Sequence, residues 1–131
     1  LEQIYQQVGL NYNIPPVVLK AIGSIESGDN PQAISHTQEH LGIGQIHKSW
    51  FAAGEDPFDP ATNIEKMALV LLNKLNGARR DKPGAGWEDA VARYYGGTLE
   101  RPLSPPEGIP GPNTLGYVDL WRKAVARFGG M

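Results

Sequence analysis

Five segments of this chain carry apolar residues at helical spacing, and glycine or proline marks their boundaries. Apolar residues that recur every three or four positions are typical of amphipathic helices with one face in a core. The 16 glycines and 11 prolines of the 131-residue chain supply the helix ends and turns. Because no segment alternates as a half-buried strand would, the pattern predicts an all-α fold, and the length predicts a single domain over residues 1–131.

The predicted helices follow from local signals. The clearest one has Asp59 as its N-cap and Pro60 at its first position, and its apolar stripe continues until Gly77. Residues 42–46 are predicted as a short turn or helix and residues 47–53 as one more turn, and residues 98–112, with five of the eleven prolines, as a long loop. The other four predicted helices are residues 1–12, residues 16–27 before Gly28, residues 87–95 before Gly96, and residues 113–128.

Composition excludes several classes of function. With no cysteine, the chain has no disulfide, thiolate zinc site or cysteine nucleophile. A formal charge of −2 gives no basic excess, so nucleic acid is not an expected partner. The longest apolar run, residues 67–72, is far below the roughly 20 residues of a membrane span. The start at Leu1, with no signal-peptide pattern, leads us to expect a processed or excised domain.

Glu26 stands out as a candidate general acid. It falls in the last turn of the second predicted helix, where the negative end of the helix dipole disfavours an ionised carboxylate. The apolar neighbours Ile22 and Ile25 would desolvate it, and both effects raise a carboxyl pKa. A raised pKa suits an acid that works near neutral pH. The alternative is an ordinary solvated carboxylate near a helix end.

Residues 36–40 offer a second candidate site. Their sequence, His-Thr-Gln-Glu-His, matches the inverted zinc-peptidase motif. In that motif two histidines one helical turn apart bind zinc, and the glutamate activates water. The motif needs a sustained helix, whereas this stretch lies between Pro31 and Gly42 with hardly any apolar face. We therefore interpret these histidines as surface residues of a polar loop and predict no metal site.

Six blocks, taken in order, resemble the lytic transglycosylase family and its lysozyme-like fold. They cover nearly the whole chain from about Leu10 onward, and the order of the blocks carries the resemblance. The blocks are Ile25-Glu26-Ser27-Gly28, Ala33-Ile34-Ser35, Gly42-Ile43-Gly44-Gln45-Ile46, Asp59-Pro60 with Asn63-Ile64, Ala92-Arg93-Tyr94-Tyr95-Gly96-Gly97, and Tyr117-Val118.

The resemblance implies cleavage of the β-1,4 bond between N-acetylmuramic acid and N-acetylglucosamine in peptidoglycan, with no cofactor. Glu26 would be the single acid and base, and the muramoyl C6 hydroxyl would close onto C1 to give a 1,6-anhydro product. Because water is not the nucleophile, the second carboxylate of a glycoside hydrolase is unnecessary.

The resemblance also implies a set of substrate-binding residues, namely Ser27, Ser35, Gln45, Tyr94 and Tyr117. Each has a structural alternative. Ser35 could cap its loop, Gln45 could tie down a turn, and the two tyrosines could be core residues with satisfied hydroxyls. The tryptophans are interpreted as core residues rather than sugar platforms; they are Trp50, Trp87 and Trp121.

Two positions depart from the family pattern. Gly44 replaces the usual methionine before Gln45, which removes a side chain from the sugar site. Tyr95 stands where the family usually has asparagine, which puts any role for that amide in doubt.

The rival functions are a hydrolytic muramidase related to goose-type lysozyme and a catalytically silent glycan-binding or assembly module. The resemblance further implies a monomer that acts in the cell envelope, in the periplasm or another extracytoplasmic site. Wall turnover, secretion or conjugation machines, and phage entry are its possible settings.

Overall fold

The computed structural model describes all 131 residues and is mostly helical, which confirms the predicted all-α fold. Its helices are α1 (Glu2–Tyr12), α2 (Pro16–Ser27), α3 (Pro60–Asp81), α4 (Trp87–Tyr95) and α5 (Thr114–Arg127). A single 3₁₀ turn covers Lys48–Trp50. None of the helices has the length and apolar character needed to span a membrane.

The ends of α2 are those that the sequence predicts. Pro16 lies at the start of the helix, where its missing N–H costs nothing. Gly28 ends the helix with φ of 63°, a left-handed conformation that glycine adopts without steric cost. The Gly28 amide donates to the Ser24 carbonyl at 2.9 Å, and the Asp29 amide donates to the Gly23 carbonyl at 3.2 Å. These bonds fix the direction in which the chain leaves α2.

Helix α3 is longer than predicted. Asp59 caps its start as expected, since Oδ2 accepts from the Thr62 amide at 3.0 Å. The predicted end at Gly77 is wrong, because the helix continues to Asp81. A glycine in a helix interior costs only about 1 kcal/mol relative to alanine. Burial of Leu75 and Ala78 on either side of it outweighs that cost.

The turns predicted over residues 42–53 are confirmed at residues 42–45 and Lys48–Trp50, but the first of them closes a small β-hairpin that was not predicted. Strands β1 (His40–Leu41) and β2 (Ile46–His47) pair antiparallel, with His40 opposite His47 and Leu41 opposite Ile46. The strands are two residues long, which is too short for an alternating pattern to be visible in the sequence. Positive φ at Gly42 (74°) and Gln45 (51°) closes the turn between them.

The chain forms two compact units, Leu1–Leu69 with Ala124–Met131, and Val70–Lys123, and their boundary falls inside α3. The core of the first unit contains Tyr5, Val18, Leu19, Ile22, Ile43, Ile46, Ile64 and Met67. The core of the second contains Leu71, Leu75, Ala90, Val91, Tyr117, Val118 and Trp121. Leu115 and Leu120, predicted on the apolar face of α5, are instead 46% and 44% exposed.

Candidate active site

Glu26 lies in the last turn of α2 and is half-buried. Ile22, one turn earlier, is fully buried, while Ile25 is half-buried. The structure therefore places the predicted acid where α2 emerges from the core of the first unit.

Ser27 connects the end of α2 to the hairpin turn. Its Oγ donates to the Ile43 carbonyl at 2.8 Å and accepts from the Asn30 amide at 3.1 Å. The hydroxyl thereby fixes the residue next to Glu26 against the turn that carries Gln45. This arrangement favours a positioning role for Ser27 over direct substrate binding.

A partly buried hydrogen bond from α1 holds the segment that follows α2. The hydroxyl of Tyr5, a residue only 1% exposed, donates to Asp29 Oδ1 at 2.6 Å. Burial, and then the hydrogen bond to the Asp29 carboxylate, raise the pKa of Tyr5 above its ordinary value. Gly23 makes room for this bond, since a Cβ there would lie 2.0 Å from the Tyr5 hydroxyl oxygen. A glycine inside an otherwise apolar helix was the sequence signal for this close approach.

Ser35 belongs to the loop beside β1. Its amide donates to the His40 carbonyl at 2.9 Å, and its Oγ accepts from the His40 amide at 3.1 Å. The Thr37 hydroxyl lies 3.2 Å from the same oxygen. Ser35 thus makes the loop-capping contacts that the sequence analysis gave as its structural alternative.

Gln45 occupies the last position of the hairpin turn and is half-buried. Its Nε2 and its backbone amide both donate to the Gly42 carbonyl, at 3.0 and 3.1 Å. The left-handed backbone at Gln45 is unusual for a residue with a Cβ. The side chain therefore stabilises the turn on which it sits.

Asn63 of α3 holds that turn from behind and was given no role at the sequence level. Its side chain is 1% exposed, and Oδ1 accepts from the Gly44 amide at 2.8 Å. Its Nδ2 donates to the Leu41 carbonyl at 2.8 Å and to the Pro57 carbonyl at 3.0 Å. The sequence signal for this role was a side-chain amide at the start of the apolar stripe of α3. A polar group is buried at such a position only when its hydrogen bonds are satisfied.

The histidine-rich stretch belongs to the loop before the hairpin and to its first strand. Residues 36–38 turn and His40 begins β1, so the His-x-x-Glu-His pattern lacks the helix that its zinc chemistry requires. His40 and His47 instead face each other across the hairpin, with ring centroids 5.3 Å apart. Burial, and then the neighbouring His47, lower the pKa of His40. No group of three or more histidine and acidic residues in the chain could hold a metal ion.

The two predicted tyrosines belong to the second unit. Tyr94 lies on α4 and is half-buried, whereas Tyr117 on α5 is 3% exposed. The Tyr117 ring stacks on Tyr95 with centroids 4.3 Å apart. The Tyr95 hydroxyl donates to the Pro112 carbonyl, so the residue at the departure from the family pattern anchors the proline-rich loop.

The tryptophans differ from one another. Trp121 is a core residue at 1% exposure, as expected. Trp87 is half-buried, and Trp50 is 36% exposed in the 3₁₀ turn after β2. The core interpretation is therefore confirmed for Trp121 and is wrong for Trp50.

Glu26, Ser27, Ser35 and Gln45 thus all belong to the first unit, on the end of α2, the loop after it and the hairpin. Comparison with known protein families matches residues 3–101 to the Transglycosylase SLT domain, which is well over half of the chain. The chain belongs to this family. Comparison with curated protein sequences gave no match.

The SLT domain assignment establishes a transglycosylase-type function directed at peptidoglycan, and action on that polymer implies an extracytoplasmic setting. The matched range includes Glu26, Ser27, Ser35, Gln45 and Tyr94. The family match ends at Arg101, so the rest of the proline-rich loop and α5 lie beyond it. The role of Tyr117 accordingly depends on the sequence resemblance alone.

Proposed function

We propose that this SLT domain is an active lytic transglycosylase. It cleaves the β-1,4 bond between N-acetylmuramic acid and N-acetylglucosamine and leaves a 1,6-anhydromuramoyl end. The observation that carries the proposal is one half-buried carboxyl group, Glu26, at the end of α2 in a domain of this family.

Glu26 acts twice on the same sugar. As the neutral acid it gives its proton to the glycosidic oxygen, and the bond from that oxygen to C1 of the muramoyl residue breaks. The N-acetylglucosamine leaves with a C4 hydroxyl, and positive charge develops at C1. The Glu26 carboxylate then takes the proton of the muramoyl C6 hydroxyl while O6 bonds to C1. Glu26 ends protonated, so the cycle needs no water and no cofactor.

The surrounding residues are proposed to serve this reaction in two ways. Ser27 positions Glu26, because its hydroxyl ties the end of α2 to the Ile43 carbonyl at 2.8 Å. Ser35, Gln45 and Tyr94 bind the glycan, whereas the buried Tyr117 holds Tyr95 by ring stacking. Gln45 suits this role because its turn is fixed by Asn63, which supplies the rigidity that a binding side chain needs.

The domain is proposed to act as a monomer on peptidoglycan in the cell envelope, in the periplasm or an equivalent compartment. Three biological settings are consistent with this location in the cell envelope: wall turnover, insertion of a secretion or conjugation machine, and phage entry. We also propose that residues 1–131 work as one catalytic domain.

The deciding experiment compares Glu26→Gln with Glu39→Gln. Both variants should fold, since neither residue belongs to the buried core. E26Q should lower release of anhydromuropeptides from purified sacculi by at least 10²- to 10⁴-fold, the usual contribution of a general acid–base group. E39Q should release them at the wild-type rate. It is the matched control because Glu39 is exposed and is the residue that a zinc peptidase would need.

Mass spectrometry of the products separates the rival functions. A lytic transglycosylase gives a product lighter by one water than the reducing sugar that a muramidase releases. Reducing ends among the products of the wild type would show that the enzyme hydrolyses the bond, and the proposed reaction would then be wrong. Binding to sacculi with no soluble product would identify a silent module instead.

A further inference from the structure

Helix α2 is followed by two consecutive residues with left-handed backbone, Gly28 with φ of 63° and Asp29 with φ of 59°. Glycine adopts this conformation without steric cost, whereas the Cβ of an aspartate makes it less favourable. A contact that holds Asp29 in this conformation comes from outside the helix. The hydroxyl of Tyr5, on α1, donates to Asp29 Oδ1 at 2.6 Å.

Tyr5 is a firm anchor for this hydrogen bond, because only 1% of the residue is exposed. A side chain that is packed on all sides keeps a single rotamer, so its hydroxyl has a fixed position. That position is directly over Gly23, where an added Cβ would lie 2.0 Å from the hydroxyl oxygen. The ring of α1 therefore reaches past the last turn of α2 to the residue beyond it.

Glu26 lies on a turn that two hydrogen bonds hold from different directions. Ser27 Oγ donates to the Ile43 carbonyl at 2.8 Å, which connects the turn to the hairpin. The bond from Tyr5 to Asp29 connects the same turn to α1. One such bond would leave the end of the helix free to pivot about it. The two together fix the orientation of the turn, and with it the direction in which the Glu26 side chain leaves the backbone.

The proposed reaction makes the position of the Glu26 carboxyl unusually important. The group gives a proton to the glycosidic oxygen and then takes one from the C6 hydroxyl, so it must reach two different atoms from one place. A misplacement of about 1 Å can lower the rate of such a step about 100-fold. Helix ends fray easily, so a carboxyl in the last turn of a helix needs support from its surroundings.

We propose that Tyr5 and Asp29 are positioning residues for Glu26. Their hydrogen bond holds the last turn of α2 so that one carboxyl can serve both proton transfers, and neither residue contacts the reacting atoms. This role rests on the proposed function of Glu26. Removal of the bond should therefore lower kcat and leave KM unchanged, because the residues proposed to bind the glycan are untouched.

The kinetic experiment measures kcat and KM of Tyr5→Phe, Asp29→Ala and Asp29→Asn on soluble glycan strands. Y5F and D29A each remove the hydrogen bond, and each should lower kcat about 10- to 100-fold at the wild-type KM. The double variant should be no slower than the slower single variant, since both changes break the same bond. D29N should keep kcat near the wild-type value, because asparagine retains an acceptor oxygen and tolerates left-handed backbone.

Tyr12→Phe is the matched control. The Tyr12 hydroxyl also belongs to α1 and also donates to a carboxylate, Glu65 Oε1 of α3 at 2.9 Å, so Y12F loses the same kind of bond at another place. It should keep the wild-type kcat. Far-ultraviolet circular dichroism at the assay temperature shows that the compared variants are folded. Wild-type kcat in Y5F and D29A overturns the proposal. D29N as slow as D29A also overturns it, since the charge of Asp29 would then matter rather than its hydrogen bond.

A second measurement does not depend on turnover. In protein with isotope-labelled glutamate, the carboxyl carbon of Glu26 is identified as the resonance that E26Q lacks, and its chemical shift reports the surroundings of that group. We expect this resonance to move in Y5F and to coincide with the wild type in Y12F. An unmoved resonance in Y5F overturns the proposal. If the wild type forms no anhydro product, the proposed function fails, while the resonance still decides whether Tyr5 positions Glu26.

Discussion

Gly23 is a glycine in the interior of α2, where glycine is the costliest residue for a helix after proline. Its value comes from the space that it leaves. The Tyr5 hydroxyl and the Asp29 carboxylate meet against it, and the Ile43 side chain lies 3.0 Å from the position of an added Cβ. The hydrogen bond between Tyr5 and Asp29 fixes the chain three residues after Glu26.

The same substitution at two glycines should have opposite effects on stability. Gly23→Ala would place a Cβ 2.0 Å from the Tyr5 oxygen and 2.8 Å from Asp29 Oδ1. We expect the free energy of unfolding to fall by about 2 kcal/mol, through overpacking and the loss of a buried hydrogen bond. Gly77→Ala meets only Arg93 and Arg80 atoms at 3.5 and 3.6 Å, which is ordinary contact.

G77A is the control and should raise the free energy of unfolding by about 0.5–1 kcal/mol through helix propensity. Urea denaturation of both variants measures the two changes. A G23A protein as stable as G77A would mean that the Tyr5 hydroxyl moves aside at no cost, and Gly23 would then have no role in holding the segment after Glu26.

The β-hairpin is the element that carries both Gln45 and the contacts of Ser35. A pair of histidines links its two strands. His40 and His47 form the cross-strand pair, and the Ser49 amide donates to His47 Nδ1 at 3.1 Å, which caps the 3₁₀ turn. A positive charge on His40 would face the His47 ring across the two strands, and this contact contributes to the lowered pKa of His40.

The hairpin should therefore loosen in acid. The titratable groups that act on His40 are His47 and His36, which lower its pKa, and Glu39, which raises it; burial is the largest cause and lowers it. The folded-state pKa of His40 lies below the ordinary 6.5. Between these two pKa values the unfolded chain therefore binds more protons than the folded chain. The stabilisation is complete above about pH 6.5 and is lost as the pH falls through the folded-state pKa.

Hydrogen exchange of the Ile46 and His47 amides at about pH 5 and about pH 8, corrected for the intrinsic rate, measures this effect. His40→Gln should reduce the pH dependence of protection. His36→Gln, a change at an exposed loop residue, should retain more of it. Equal protection factors at both pH values in the wild type would contradict the prediction.

At the scale of the whole molecule, α3 contributes residues to both compact units. Residues up to Leu69 belong to the first unit and residues from Val70 to the second, with no interruption of the helix. A helix forms cooperatively, because each added residue extends an existing hydrogen-bond ladder. Loss of either half of α3 would therefore leave the other half with a frayed end.

We expect one unfolding transition for the 131 residues. Trp50 lies in the first unit and the other two tryptophans in the second, so the fluorescence of Trp50→Phe reports on the second unit alone. Its thermal midpoint should coincide with the far-ultraviolet circular dichroism midpoint of the same variant, and calorimetric and van't Hoff enthalpies should agree. Two resolved midpoints would show that the units unfold independently and that the single-domain prediction is wrong.

Much of the fold could be predicted from local sequence. Pro16, Gly28 and Asp59 act on their own backbone neighbourhoods, and the structure confirms the helix boundaries that they predict. The hairpin could not be predicted, because its two-residue strands depend on pairing and on the Asn63 amide rather than on periodicity. The exposure of Leu115 and Leu120 could not be predicted either, since the spacing of apolar residues does not show which part of a helix face packs against other residues.

The sequence by itself determined the helical class and the ends of α2, because local backbone preferences are readable along the chain. It also made Glu26 a candidate by its position, and the family resemblance added the candidates Ser27, Ser35, Gln45, Tyr94 and Tyr117. Only the tertiary structure showed what holds them. Tyr5 and Asp29 are 24 residues apart, and Asn63 is 19 residues from Gly44 and 22 from Leu41. Buried polar groups must find partners wherever the packed chain places them, and that placement is settled by the core, not by sequence neighbours.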